Sequence, residues 1–141
     1  MSYDDQNIFA KILRGEIPSL KVYEDDRVLA FMDIMPQADG HTLVIPKSPA
    51  VTLLDLDPNE AAYTIQIAQK VARAIEKAFD AKGIVLMQLS GVAAGQTVPH
   101  VHFHLIPSSI HHMRTHAAQM GDQVAIAAHA EKIKAALAEF N

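Results

Sequence analysis

The sequence contains no cysteine and no tryptophan. Without cysteine, disulfide bonds, a thiolate nucleophile and every zinc or iron–sulfur site with a cysteine ligand are excluded. A membrane-spanning helix needs about 18–20 consecutive apolar residues, and every apolar run in this sequence is much shorter. The N-terminal residues are acidic and lack the basic and apolar regions of a secretory signal. We therefore expect a cytoplasmic protein with no membrane partner.

Positive charge is also scarce. The 141 residues include 12 Lys and Arg against 16 Asp and Glu, a formal net charge of −4. Nucleic-acid binders are more often basic, so we expect no nucleic-acid partner. The length fits a single domain, residues 1–141, and the apolar half of the composition is typical of a globular chain. Histidine is abundant instead, with eight residues, most of them between His100 and His129.

The hydrophobic pattern predicts an α+β fold. A long helix is expected from Pro58 to Asp80, with Asp57 as its N-cap and Glu60 reaching back to complete a capping box. Ile65 belongs to its predicted apolar face. Shorter helices are expected over residues 7–15 and 126–140, and strands over residues 21–24, 28–32, 41–45, 84–89 and 101–106. Short connections favour antiparallel pairing, and hence a five-stranded antiparallel sheet covered by helix.

The segment from Pro99 to Pro107 carries the chemistry. Side chains alternate between the two faces of a strand, so His100, His102 and His104 share one face. The apolar residues between them share the other face, which belongs in the core. Three adjacent imidazoles do not pack as a hydrophobic layer, because they need polar partners, a metal, a ligand or water.

Two functional interpretations of this face stay open on pattern alone. Two histidines two residues apart can hold a zinc ion, although a third would lie about 13 Å from the first at about 3.3 Å per residue. Alternatively, a neutral imidazole attacks phosphorus while its neighbours orient it and carry protons. The preceding loop, Ser90 to Thr97, favours the second interpretation, because its small residues suggest backbone N–H groups that hold an anion.

The stretch from His100 to Ile106 resembles the signature of the histidine triad family, in which three histidines alternate with apolar residues. Residues 94–98 resemble the family's phosphate loop. Residues 7–9, 15–18, 22–25, 31–34 and 40–47 are similar, in order, to its N-terminal and middle regions. The similarity covers residues 7–107, leaves 108–141 as a variable C-terminal segment, and is closest to the histidine triad nucleotide-binding, or Hint-like, branch.

The resemblance implies an enzyme that needs no metal or organic cofactor. Its substrate is a purine nucleotide, and it cleaves AMP or GMP from an amine or another leaving group through a covalent nucleotidyl-histidine. His102 is then the nucleophile, His100 and His104 orient it and contact the phosphate, and His41 supports the cluster. The resemblance also implies a homodimer whose two sheets join into one.

The same resemblance assigns further residues to the substrate. These are Asp33 at the ribose hydroxyls, Ile8, Phe31 and Ile34 around the base, and Gln96 and Thr97 near the phosphate and the leaving group. Two departures stand out: Leu89 occupies a position where the family usually has asparagine, and Pro99 directly precedes the triad.

Two alternative functions stay open. The loop over residues 94–98 also resembles that of the dinucleoside polyphosphate hydrolases of the fragile-histidine-triad branch. A binding module for purine nucleotides, with incidental turnover, is an alternative of a different class. Beyond the matched residues, His111, His112 and His116 are open to three interpretations: a solvated loop, a segment that reaches the active site, or a metal site.

Overall fold

The computed structural model describes residues 2–117 and 119–140. The helices are α1 (Ile8–Leu13), α2 (Pro58–Phe79) and α3 (Gln123–Ala138), with single 3-10 turns at Leu53–Asp55 and Val92–Ala94. The strands are β1 (Lys21–Glu24), β2 (Val28–Met32), β3 (Thr42–Pro46), β4 (Val85–Gln88) and β5 (Phe103–Ile106). Within the described ranges, no helix has the length and apolar character to cross a bilayer.

One five-stranded sheet runs through the molecule in the order β1-β2-β3-β5-β4. Every neighbouring pair is antiparallel, which confirms the predicted α+β fold. The central strand β3 is buried along its whole length. It pairs Leu43 with Phe31 of β2 on one side and with His104 of β5 on the other, so the triad strand lies well inside the sheet.

Alternation divides each central strand between two apolar clusters. Val44 and Phe103 face α2 and α3 in the larger cluster. Leu43 and Ile45 face the opposite side, where Phe9 of α1 covers a smaller cluster. Because His41 and His104 share the parity of Leu43 on their paired strands, the histidines lie on the α1 side of the sheet.

The turn between β1 and β2 is organised by one carboxylate. Asp25 Oδ1 accepts hydrogen bonds from the backbone N–H groups of Arg27 and Val28, each at 2.8 Å. Its Oδ2 accepts from the hydroxyls of Tyr23, at 2.7 Å, and Tyr63. Burial opposes ionisation, but these four donors outweigh it and lower the pKa of Asp25 to about 2.

Helix α2 corrects two details of the sequence prediction. Asp57 caps it, accepting from the backbone N–H of Asn59 at 2.7 Å. Glu60 does not complete a capping box and instead pairs with Arg27 at 3.1 Å. The buried face consists of Thr64, Ile67, Ala68, Val71, Ala74 and Ile75. Ile65 is 43% exposed, so its assignment to the buried face was wrong.

Strand β5 begins at Phe103, two residues later than predicted. The backbone hydrogen bonds of the preceding residues are made elsewhere: the His100 N–H donates to the carbonyl of Val98, and the Val101 N–H to that of Ala50, both at 2.9 Å. His100 therefore lies in a bend, and His102 lies in the irregular stretch that leads from this bend into the sheet. The other predicted boundaries differ from the observed ones by a few residues.

Candidate active site

Four buried imidazoles converge on the α1 side of the sheet. His41, His100, His102 and His104 are each no more than 4% exposed. The ring centroids of His102 and His104 lie 4.9 Å apart, and those of His41 and His104 5.1 Å apart. Their hydrogen bonds determine which nitrogen carries the proton in each ring.

His102 has a free ring nitrogen with a lone pair. Its Nδ1 lies 2.7 Å from the carbonyl oxygen of His100, and a carbonyl only accepts, so Nδ1 carries the proton. In the neutral ring, Nε2 is then unprotonated. Burial lowers the pKa of His102, because the charged form is poorly solvated there. Phe9 packs edge-on against this ring with centroids 5.0 Å apart. The arrangement holds an imidazole in the form that a nucleophile requires.

His104 presents the opposite tautomer. The backbone N–H of Gln37 donates to His41 Nδ1 at 3.0 Å, so His41 carries its proton on Nε2. That Nε2–H donates to His104 Nδ1 at 2.9 Å, which leaves the His104 proton on Nε2. This N–H is buried and has no hydrogen-bond partner among the described residues. Since His104 lines a pocket, this N–H is a donor available to a ligand bound there.

His41, His104 and Asp33 place one potential ligand atom each within 4.8 Å of one another, as in a small metal site. The Asp33 Oδ2 atom lies 3.4 Å from His41 Nε2. Because Gln37 occupies His41 Nδ1 with an N–H donor, Nε2 must keep its proton and has no lone pair for a cation. The trio fits a hydrogen-bonded set rather than a metal centre. Burial lowers the pKa of His41 to about 4.

His100 is fixed at both ring nitrogens. Its Nε2–H donates to the carbonyl of Pro46 at 2.8 Å, and its Nδ1 accepts from the Tyr3 hydroxyl at 2.6 Å. Neither nitrogen is free for a phosphate or for a zinc ion shared with His102. Tyr3 was not singled out in the sequence, where a tyrosine near the N-terminus belongs to no motif.

A pocket of about 400 Å³ opens beside the triad. The predicted site residues that line it are Ile8, Phe31, Asp33, Ile34, Thr97, His102 and His104. Ile8 and Ile34 are 54% and 46% exposed, so they offer apolar surface to a flat ring. His41, His100 and Gln96 do not line the pocket and support it from behind.

Gln96 is a structural member of the loop before the triad. Its Oε1 accepts from the Gly91 N–H at 2.8 Å, and its Nε2 donates to the carbonyls of Val51 and Val98 at 2.7 and 2.9 Å. Gln96 is 7% exposed, and both polar atoms of its amide are hydrogen-bonded. Gln96 therefore shapes the loop on which Thr97 is carried to the pocket.

The expected anion nest is largely absent from this loop. The N–H groups of residues 91, 94, 95 and 96 all donate within the loop, so they are not available to a phosphate. Gly91 and Gly95 have φ values of 98° and 110°, which only glycine adopts readily. Leu89 lies beneath the loop, with Cδ1 3.3 Å from the position of a Cβ on Gly95. Leu89 thus packs against the loop and does not line the pocket.

A fifth histidine joins the site from the C-terminal segment. The ring of His116 lines the same pocket and meets that of His104 edge-on, with centroids 5.1 Å apart. His111 and His112 are exposed. Within residues 2–117 and 119–140, these three histidines do not form a metal cluster. Of the three interpretations, reaching the site is correct for His116 and a solvated loop is correct for the other two.

The family match agrees with this geometry. Residues 14–111 match the HIT domain family. The chain belongs to the histidine triad (HIT) family. Tyr3 and His116 both lie outside the matched range, which is why the motif did not indicate them.

Solved HIT structures share the whole fold. A Hit-like protein from Bartonella henselae is 48% identical, with a TM-score of 0.85 over 96% of this chain and 99% of that chain. A hypothetical histidine triad nucleotide-binding protein from Sulfolobus tokodaii is 27% identical, with a TM-score of 0.85 over 94% of this chain and 92% of that chain. Both solved chains share the fold of this HIT chain over at least 94% of its length.

One relative has an enzyme name. Adenylylsulfatase HINT3 of Arabidopsis thaliana is 41% identical over 100 residues, which are 71% of this chain and 51% of that protein. The HIT chain spans about half the length of this relative.

Proposed function

We propose that this HIT protein hydrolyses nucleotide conjugates through a covalent nucleotidyl-His102. The observation that carries the proposal is the hydrogen bond from His102 Nδ1–H to the carbonyl of His100, which leaves Nε2 unprotonated beside the pocket. The neighbouring His104 offers a free Nε2–H in the same pocket. A nucleophile and a donor for the phosphate oxygen are thus side by side.

The reaction has two steps. His102 Nε2 attacks the α-phosphorus, the N–P bond forms, and the bond from phosphorus to the leaving group breaks. Because the ring is neutral, it approaches the phosphate without charge repulsion, and His104 Nε2–H donates to a non-bridging oxygen. A water molecule then attacks phosphorus, the N–P bond breaks, and the nucleoside monophosphate leaves.

The pocket supports a purine nucleoside as the bound half of the substrate. Phe31 and the exposed Ile8 and Ile34 form an apolar slot suited to a base. Asp33 lines the same pocket, and a carboxylate there can accept from ribose hydroxyls. We infer that the product is AMP or GMP and that the leaving group is an amine. There are two alternatives: a sulfate leaving group, suggested by the adenylylsulfatase relative, and a nucleotide leaving group, suggested by the dinucleoside polyphosphate hydrolases.

We further propose that the protein is a homodimer whose two sheets join along β4. That strand is one of the two edges of the sheet, the other being β1, and its Leu86 is 48% exposed. Ile65 on α2 is exposed as well. Replacing Leu86 with aspartate should give a monomer by size exclusion with light scattering. A wild-type protein that is monomeric at micromolar concentration would contradict the dimer.

The proposed activity is tested by nucleotide release with a chelator present. The substrates are an adenosine phosphoramidate, adenylyl sulfate and diadenosine tetraphosphate, each given to wild type and to His102→Ala. Release by wild type alone supports the mechanism, and the preferred substrate identifies the leaving group. Tight AMP binding with turnover no faster than that of His102→Ala would contradict it and favour a binding module.

A further inference from the structure

We propose that His116 is the acid–base residue that serves the leaving group and the attacking water. The inference rests on the proposed function, because it supplies a proton to the reaction at His102. Its basis is the juxtaposition of His116 with the triad in one pocket, where its ring lies edge-on to His104. His116 belongs to the segment after residues 14–111, the range matched by the family.

Gln37 determines the tautomer of His116. The Gln37 Nε2 donates to the carbonyl of Arg114 at 3.1 Å, so the Oε1 on the other branch of the amide is an acceptor. That Oε1 lies 3.2 Å from His116 Nδ1, which must therefore carry a proton. In the neutral ring Nε2 has the lone pair. It is buried and has no hydrogen-bond partner among the residues that the structure describes.

The segment that carries His116 is held from two sides. The Arg114 N–H donates to the Gln37 carbonyl at 2.6 Å, and the Gln37 side chain returns a bond to the Arg114 carbonyl. Gln37 is 3% exposed, so the residue that makes these two hydrogen bonds is buried. A base whose second nitrogen is held by a third group is the arrangement found in activated nucleophilic sites.

The other imidazoles of the site cannot easily exchange a proton. During the reaction His102 Nε2 is bonded to phosphorus, and its Nδ1–H stays on a backbone carbonyl. His104 can release its Nε2 proton only if His41 replaces it at Nδ1. His41 cannot accept a replacement proton at its own Nδ1, because that lone pair already accepts a hydrogen bond from the backbone N–H of Gln37. His116 can gain or lose a proton at Nε2 while keeping its bond to Gln37.

The proton balance is as follows for an amine leaving group. Doubly protonated His116 gives its Nε2 proton to the leaving nitrogen as the P–N bond of the substrate breaks and the His102–P bond forms. Neutral His116 then takes a proton from water as the new O–P bond forms and the His102–P bond breaks. One amine and one nucleoside monophosphate leave, and His116 is again protonated.

A positive charge on His116 is compatible with the nucleophile. Burial is the largest cause that lowers the pKa of His102 and of His104, and the nearby His116 charge lowers both further. A protonated His116 thus favours the neutral, nucleophilic form of His102 in the first step.

The test compares two leaving groups. His116→Gln keeps a polar side chain of similar reach but cannot transfer a proton, and His112→Gln, an exposed residue of the same segment, is the matched control. With an alkylamine phosphoramidate of adenosine, kcat/KM should fall about 100-fold in His116→Gln. The single-turnover burst from the p-nitrophenyl ester of AMP, whose leaving group departs as an anion, should change less than about threefold, since no acid is needed there. The Kd for AMP and the His112→Gln rates should match wild type.

Each other outcome contradicts the inference. An equal loss on both substrates would show that His116 only binds or only stabilises, and no loss on either would remove it from the chemistry. If His116→Gln folds poorly, His116→Ala with added imidazole tests the same proton transfer. Imidazole should restore turnover of the phosphoramidate but should not accelerate the ester burst. A wild type that forms no nucleotidyl-histidine from either substrate would overturn the proposed function itself, whereas adduct formation with wild-type behaviour of His116→Gln would overturn only this inference.

Discussion

The Nδ1 atom of His102 lies 2.7 Å from the carbonyl oxygen of His100, two residues earlier in the chain. The backbone of one triad residue thus determines the proton position in the next. The two-residue spacing therefore does more than gather imidazoles on one face, because it also supplies the acceptor that leaves Nε2 free. The side chain of His100 acts separately, as a support fixed between Pro46 and Tyr3.

We expect Tyr3→Phe to weaken this support. The change removes the donor to His100 Nδ1 and leaves a buried acceptor unpaired, at a cost of about 1–3 kcal/mol of unfolding free energy. Urea denaturation measures it, with Ser2→Ala, an exposed neighbour, as control. A Tyr3→Phe protein as stable as Ser2→Ala would show that the hydroxyl contributes nothing.

The pH dependence of the first step should reflect a buried, neutral His102. Burial lowers its pKa below the ordinary 6.5, so the lone pair stays available in mildly acidic solution. The burst with the p-nitrophenyl ester of AMP does not need His116. Its rate should stay constant as the pH is lowered through 6.5 and should decrease only at lower pH. An acid limb centred at 6.5 or above would contradict a buried nucleophile.

The unfolding free energy should decrease as the pH is lowered, and His41 is one cause. Its folded pKa is about 4 against an ordinary 6.5, so between these values the unfolded chain binds a proton that the folded chain does not. The contribution is therefore present above the unfolded pKa and is lost as pH falls. From about pH 7 to about pH 5, His41 alone should lower the unfolding free energy by about 2 kcal/mol. Denaturant titrations at both pH values measure the slope, which His41→Gln should reduce; an unchanged slope would exclude His41 as its source.

Much of the fold was predictable because its signals are local. Strands with a period of two, Asp57 as a helix cap and short strand connections are all readable from neighbouring residues. The details that failed depend on tertiary contacts. Glu60 is suited to a capping box, yet Arg27 from the first hairpin pairs with it. Ile65 suits helical spacing as well as its neighbours do, and only the position of the sheet decides which face is buried.

The site shows the same limit more sharply. The triad is a motif within a few residues, and its face follows from strand geometry. Tyr3 and His100 are separated by 97 positions, and Gln37 and His116 by 79. No local pattern connects residues at such distances. Gln96 was assigned to the substrate by resemblance, but its amide is used by the loop, a detail that only the hydrogen bonds show.

The first hairpin offers a stability test away from the chemistry. Asp25→Ala leaves two backbone N–H groups and two tyrosine hydroxyls without their acceptor. We expect a loss of about 2 kcal/mol in unfolding free energy and unchanged kcat, because the turn lies outside the pocket. Asp26→Ala, an exposed neighbour, is the control and should behave as wild type. An Asp25→Ala protein with wild-type stability would show that the carboxylate does not stabilise the turn.

The covalent intermediate is the central claim, and trapping it is the most direct test. Wild type is mixed with an adenosine phosphoramidate, quenched in alkaline denaturant within one turnover, digested and analysed by mass spectrometry. We predict one adenylyl group on the peptide containing His102, the same adduct in His112→Ala, and none in His102→Ala. Nucleotide release by His102→Ala at the wild-type rate, or an adduct on another residue, would contradict the account.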